Sequence, residues 1–261
     1  IDIHLDALSK LGVKFQIENG YVRGVVEDDL IGATINLPFP SVGATENIVM
    51  AASLAKGITL INNAAKEPEI ADLTIALNAM GAKISFFGGD CIKIEGVDSL
   101  REAEHTIMFD RIVAGTYILA GVMLNKKFTI NNIDSTFLKS LTDTLIRMKA
   151  NLDIKDNYIT TMPSREIIGT DIETAPYPGF PTDLQAQIMA LMCIANGKSK
   201  ITEKIFENRF MHVAELNRLG ANIKIKNDIA YIQGNIKFKG AQVMASDLRA
   251  SVSLVLAALC A

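Results

Sequence analysis

The chain has 261 residues, 49% of them hydrophobic and 21% charged, with a formal net charge of −3. That is enough apolar material for one large core or two ordinary ones, and it excludes a disordered chain. The mild negative charge disfavours a nucleic-acid surface, and the longest apolar run, residues 188–195, is far short of a membrane span. No basic stretch followed by an apolar one opens the chain, so nothing directs export, and a cytoplasmic protein without nucleic-acid or membrane partners is expected.

The first predicted element is an amphipathic helix that closes at Gly12, followed by a strand, the turn Glu18-Asn19-Gly20 and a second strand. The same pattern recurs over residues 73–94, 141–159 and 213–232. Aligned on Gly12, Gly81, Lys149 and Gly220, the copies are 69, 68 and 71 residues apart. Glycine suits a helix C-cap, where a left-handed residue ends the helix cheaply, so Lys149 predicts a slightly different cap. Alternation after each cap, with Ile84 and Phe86 against Lys83 and Ser85, marks a half-buried strand.

Between these copies lie helices over 41–57, 110–127, 181–198 and from 245 onward that are apolar nearly all round, which predicts central, buried helices. The first three lead into strands such as 58–61 and 128–130. The repeating unit is strand, buried helix, strand, amphipathic helix, strand, strand, with helices inside and sheets outside. Units of this kind cover one another and call for whole numbers of copies. The chain opens inside one helix and stops inside another, so a fragment lacking sequence at both ends is expected. The repeat boundary before Asp110 divides it into residues 1–108 and 109–261.

Cys91, Cys193 and Cys260 are an odd set without metal-ligand spacing, and free buried thiols in a reducing compartment are expected. His4, His105 and His212 have no i, i+4 partner, so no metal is expected. Neither the dinucleotide nor the P-loop glycine pattern occurs.

Two stretches carry candidate chemistry. Ser41-Val42-Gly43-Ala44-Thr45-Glu46-Asn47 follows Pro38-Phe39-Pro40 and opens a buried helix. Its amides and dipole favour an anion such as a pyrophosphate, or Ser41 or Thr45 simply caps the helix. Pro181-Thr182-Asp183-Leu184-Gln185 sets Asp183 at a helix start behind three prolines and Gly179. Thr182 with Gln185 reads as a capping box, which leaves Asp183 unexplained, and a desolvated carboxylate there suits acid–base work. A second polar knot, Glu207, Asn208 and Arg209, follows between Phe206 and Phe210. Glu67-Pro68-Glu69 and Asp110-Arg111 sit at repeat junctions, as solvated turn pairs or site neighbours. Asp247 and Arg249 straddle the last helix start, where the arginine meets either a ligand anion or Asp247.

Taken together, S-V-G-A-T-E-N, A-A-K-E-P-E-I, D-R-I-V-A-G-T, P-T-D-L-Q-A-Q, F-E-N-R-F-M-H and G-A-Q-V-M-A-S-D-L-R-A-S resemble the UDP-N-acetylglucosamine 1-carboxyvinyltransferase family of enolpyruvyl transferases, in order and over essentially the whole chain. The resemblance implies an inside-out α/β barrel fold in two globules, with 1–108 part of the first and 109–261 part of the second. It implies transfer of enolpyruvyl from phosphoenolpyruvate to the 3-hydroxyl of UDP-N-acetylglucosamine, the first committed step of peptidoglycan synthesis. Neither a cofactor nor an obligate protein partner is implied.

By the same resemblance Asp2 and Ile3 contact the uridine, and Ser41, Val42 and Gly43 bind the diphosphate. Asp183 touches the sugar 3-hydroxyl and acts as base. Ile205 and Phe206 wall the uridine and sugar site, and Asp247 and Arg249 line the cleft on the phosphoenolpyruvate side. Glu67, Asp110 and Arg111 match residues near the cleft. The family's loop cysteine (sometimes aspartate) with its arginine, its Lys-Asn pair and a further arginine have no match here, which implies that the chain alone lacks turnover. Two other readings are a shikimate-type enolpyruvyl transferase and a truncated, non-catalytic UDP-sugar-binding paralogue.

Overall fold

A computed structural model describes residues 1–245 and 248–261, with Arg249 and Ala250 described by their backbone alone. The chain forms two compact units, Ile1–Met108 and Phe109–Ala261. In the first, α1 (Asp2–Lys10) leads through the hairpin of β1 (Lys14–Glu18) and β2 (Tyr21–Val25) to β3 (Thr34–Asn36). There follow α2 (Val42–Ala52), β4 (Ile58–Asn62), α3 (Pro68–Ala79), β5 (Lys83–Phe87) and β6 (Cys91–Glu95). The second unit begins with α4 (Arg111–Met123), β7 (Phe128–Asn131), α5 (Lys139–Arg147), β8 (Asn151–Lys155) and β9 (Tyr158–Met162). It continues with β10 (Asp171–Glu173), α6 (Gln185–Ile194), β11 (Lys198–Thr202), α7 (Val213–Arg218), β12 (Asn222–Lys226), β13 (Ile229–Gln233) and α8 (Leu248–Ala258).

Two of the repeats read from the sequence become sheets of the same strand order and pairing sense. The first unit holds a sheet in the order β3-β4-β6-β5 and the second one in the order β10-β11-β13-β12. In each, the first pair is parallel and the rest antiparallel. The parallel pair follows from connectivity, because a buried helix crosses over between the two strands. A three-stranded sheet, β7-β9-β8, and the separate β1-β2 hairpin complete the set. Ile223 and Ile232 are buried beside exposed Lys224 and Tyr231, the alternation of a sheet with one face on a core and one in water.

The four amphipathic helices end alike. The N–H of Gly12, Gly81, Lys149 and Gly220 bonds to the carbonyl three residues back. The next N–H, of Val13, Ala82, Ala150 and Ala221, reaches the carbonyl five back. The φ angles are +105°, +104° and +98° at the glycines and +64° at Lys149. Lys149 therefore does not change the cap as expected. It makes the same bonds, and its Cβ only confines φ to the narrow left-handed well. Two helices add a clasp: Asn78 bonds both N–H and C=O of Ile84, and Asn217 does the same to Ile223, at 2.9–3.0 Å.

The cores sit under these sheets. Ile35, Ile48, Ile61, Ile92 and Ile94 centre the first, and α6 centres the second, packed on α4, α8, β11 and β13. All residues from Gln185 to Cys193 are buried. The expected all-round burial holds for α6 and not for the other three apolar helices. Met50 on α2, Val113 and Tyr117 on α4, and Val255 on α8 are exposed. Apolarity sets what a helix face tolerates, whereas burial also needs an element to cover it. The thiols differ from expectation in the same way: all three are free, but only Cys193 is fully buried.

Two measurements test this account. Lys149→Gly keeps the cap and removes the left-handed cost of a β-carbon, so it raises stability by about 0.5–1 kcal/mol, read from urea unfolding. Burial pushes the Cys193 thiol up to about 12. Above pH 9 the unfolded chain loses this proton while the folded one keeps it. Folded stability then falls as pH rises, by at most about 1.4 kcal/mol per unit, and Cys193→Ala removes that component.

Candidate functional site

Each unit carries its own cluster. In the first, Ser41 caps α2 in an extended conformation, its Oγ accepting from the Ala44 N–H at 3.4 Å. Thr45 Oγ1 donates to the Ser41 carbonyl at 2.8 Å and accepts from the Ala65 N–H at 3.1 Å, tying the helix start to the chain entering α3. The amides of Val42 and Gly43 have no partner among the described residues. They belong to the first helical turn, where free N–H groups and the dipole together favour a negative charge. Capping by Ser41 and an open helix mouth therefore coexist.

Helix α1 packs against α2 and brings Asp2 and Ile3 to the same region. His4, on that first turn, lies over Gly43: a Cβ on Gly43 would come within 3.2 Å of His4 Cε1. Asn47 Nδ2 and His4 Nδ1 are 2.8 Å apart. Glu46 is partly buried, and its carboxyl is raised above the ordinary value by burial first and then by the charges of Glu69 and Glu67. Glu67 itself is buried at the N-cap position of α3, with Pro68 in the first helical turn.

In the second unit the chain entering α6 is fixed by its own turn. Ala175 N–H bonds the Phe180 carbonyl at 3.0 Å and Gly179 N–H bonds Pro176 at 2.8 Å. A Cβ on Gly179 would sit 2.5 Å from the Ala175 methyl, so only glycine closes the loop. The Tyr177–Pro178 bond is cis. Asp183 stands in the 3₁₀ turn Thr182–Leu184 that runs into α6. Its Oδ1 accepts from Arg209 Nη2 at 2.7 Å; the Asp183 side chain is 41% exposed and that of Arg209 16%. The same guanidinium carbon lies 4.5 Å from the centroid of the Phe206 ring.

The capping box does not form. The turn has no side-chain cap, and Thr182 Oγ1 donates instead to Glu203 Oε2 at 2.9 Å. Gln185 is buried inside the unit. Glu203, directly after β11 and 4% exposed, takes three more bonds on Oε1. These come from Thr174 Oγ1 at 2.9 Å, Ile205 N–H at 2.9 Å and Phe206 N–H at 3.2 Å.

Around this knot are three cavities, one of them, of about 530 Å³, lined by Glu203, Phe206, Arg209, Phe210 and Asp228. Another, of about 260 Å³, is lined by Thr182, Gln185, Phe206, Arg209 and His212. The third, about 620 Å³ and mainly apolar, runs between α4 and α8 with Asp110 and Asp183 among its lining. Asp110 caps α4, its Oδ1 accepting from Ile112 and Val113 N–H at 2.7 and 3.0 Å. Arg111 is buried, with its guanidinium 5.7 Å from the Tyr177 ring centroid.

The structure thus joins Asp183, Ile205 and Phe206 in one cluster, and Ser41, Val42 and Gly43 with the turn of Asp2 and Ile3 in another. Asp247 lies outside the described residues, and so does the side chain of Arg249, whose backbone is in α8. Sequence reasoning missed Glu203 and left Arg209 without a partner. The spacings of 21 and 26 residues to Thr182 and Asp183 carry no periodic signal.

Residues 1–261 match the EPSP synthase (3-phosphoshikimate 1-carboxyvinyltransferase) family. A UDP-N-acetylglucosamine 1-carboxyvinyltransferase from Pelagibacter ubique is 52% identical over the whole chain, and one from Azorhizobium caulinodans 50%. The chain spans 63% and 61% of those relatives' lengths. Among solved structures, the enolpyruvyl transferase NikO from Streptomyces tendae superposes with a TM-score of 0.91 at 26% identity, over 99% of this chain and 64% of that one. EPSP synthase from Acinetobacter baumannii, at 20% identity and a TM-score of 0.70 over 99% of this chain and 64% of that one, shares the fold. With a family match and a fold match that both cover nearly every residue, the chain belongs to the EPSP synthase (3-phosphoshikimate 1-carboxyvinyltransferase) family, whose α/β fold it has.

Proposed function

We propose that the protein containing this chain transfers enolpyruvyl from phosphoenolpyruvate to the 3-hydroxyl of UDP-N-acetylglucosamine, releasing phosphate, in the cytoplasmic synthesis of peptidoglycan. The observation that carries the reading is the Asp183–Arg209 pair, a half-exposed carboxylate held at 2.7 Å on the turn that opens a wholly buried helix. Its support is the 50–52% identity to enzymes named for that substrate, against 20% to EPSP synthases.

In this proposal the sugar 3-hydroxyl adds to C2 of phosphoenolpyruvate while C3 gains a proton. Phosphate then leaves, and the double bond re-forms with loss of a proton from C3. Asp183 accepts the hydroxyl proton, a task for which a carboxylate must stay ionised and fixed in direction. Arg209 serves the second need. Open amides at Val42 and Gly43 receive the diphosphate, with Ser41 holding the turn. Asp2 and Ile3 meet the uridine, and Ile205 and Phe206 wall the sugar. Asp247 and Arg249 serve the phosphoenolpyruvate side. The first unit is taken as part of one globule of the whole enzyme and the second as part of the other.

Calorimetric titration of UDP-N-acetylglucosamine into the chain tests this reading. Loss of a hydrogen bond to a charged group predicts that Asp183→Asn weakens binding by about tenfold or more. Gly43→Ala weakens it as well, because the new methyl crowds His4 and the open amides. Equal affinity in Asp183→Asn, or a stronger response to shikimate 3-phosphate, sinks the proposal.

A further inference from the structure

We propose that Glu203 is a positioning residue: through Thr182 and the amides of Ile205 and Phe206 it sets the direction of Asp183 and the place of the Phe206 ring against one another. The inference deepens the proposed function and rests on it for the identity of the ligand. Four hydrogen bonds converge on this carboxylate from two stretches of chain that share no secondary structure. One stretch carries Thr174 and Thr182 and continues directly into Asp183. The other is Ile205-Phe206, which leads into Arg209. Arg209 then closes the circuit, since its guanidinium touches both Asp183 and the ring of Phe206. The contacts form a closed ring: Glu203, Thr182, Asp183, Arg209, Phe206 and back to Glu203.

Packing alone does not call for a carboxylate here. An apolar side chain would fill the same volume without the desolvation cost of a buried charge, and such replacements are often neutral or stabilising. What the carboxylate adds is direction, because its charge-assisted hydrogen bonds are stronger than neutral ones and favour donors near the carboxylate plane. Its two oxygens divide the work: Oε2 takes Thr182 on the Asp183 side, and Oε1 takes Ile205 and Phe206 on the wall side. Thr174 locks the arrangement to the sheet, as its hydroxyl also accepts from Lys204 N–H at 2.9 Å and its own N–H bonds the Thr202 carbonyl. The acid and the wall are thus set by one group, which is 4% exposed and borders the cavity lined by Phe206 and Arg209.

Replacing Glu203 outright removes four hydrogen bonds at once and confounds folding with positioning, so the test uses Thr182→Val and Thr182→Ser, which leave Glu203 with its other three donors. Two readouts are taken on the same chain. The first is hydrogen exchange at the Arg209 guanidinium, assigned by its loss in Arg209→Lys and needing no ligand. The second is calorimetric affinity for UDP-N-acetylglucosamine. Expected is about tenfold faster exchange and about tenfold weaker binding in Thr182→Val, with Tm little changed and both restored in Thr182→Ser. Wild-type exchange in Thr182→Val overturns the inference. A large loss of Tm without recovery in Thr182→Ser also overturns it, since the bond is then only structural. Faster exchange in Thr182→Val, with no sugar-nucleotide binding even by the wild type, leaves the positioning role standing and removes the proposed substrate.

Discussion

Helix α6 has apolar neighbours on every side, and that constraint orders the second unit. With Gln185 through Cys193 all buried, the helix can be rotated or shifted only at the cost of the whole core around it. The 3₁₀ turn that precedes it reaches the surface, and there Asp183 stands. A carboxylate on such an element inherits the rigidity of the core at no further entropic cost, because the backbone beneath it is already fixed. The Pro-Gly-Phe-Pro loop extends the same fixation upstream, where Gly179 admits a turn too tight for any side chain.

The repeats show how one local structure supports different chemistry. Each apolar helix begins with amides that lack intrahelical partners. At α2 the Ser41 hydroxyl takes only the Ala44 N–H, and the two preceding amides remain open. At α4 the Asp110 carboxylate takes the amides of Ile112 and Val113 and brings its own negative charge, so that mouth repels a further anion. At α6 a 3₁₀ turn replaces the cap, and the acid pairs with Arg209 instead of the helix amides. The residue at the helix start, rather than the helix itself, decides whether the amides stay open, are covered by a carboxylate or give way to a 3₁₀ turn.

Much of the architecture was legible from the sequence because it is periodic. Apolar spacing placed the helices, alternation placed the strands, and Gly12, Gly81 and Gly220 marked three caps by the need for positive φ. Lys149 was misjudged because a non-glycine residue there raises the energy of the cap without changing its hydrogen bonds. Exposed faces on α2, α4 and α8 were misjudged because composition says what can be buried and not what is covered. Asp183, Phe206 and the α2 mouth stood out as local motifs. Glu203 and the partner of Arg209 did not, since pairing across 20 or more residues depends on how β11 and the following turn return to α6. The Thr182–Gln185 pattern misled for the same reason. A capping box competes with any other acceptor in reach, and a buried carboxylate is the stronger one.

Arg209 illustrates why such a site is better understood as geometry than as stability. An ion pair with one partner 41% exposed adds little to folding, of the order of 0–1 kcal/mol, because water screens it and two long side chains lose freedom. The stacking of the guanidinium on a half-exposed Phe206 adds about as little. Neither contact accounts for an arginine whose side chain is 16% exposed. Their joint effect does, because a planar group held by a carboxylate at its edge and a ring at its face has one orientation left. The carboxylate it holds is fixed in turn, through the peptide that joins Asp183 to Thr182 and the bond from Thr182 to Glu203. Weak interactions arranged in a closed ring give a strong constraint on direction, and direction is what proton transfer to a carboxylate requires.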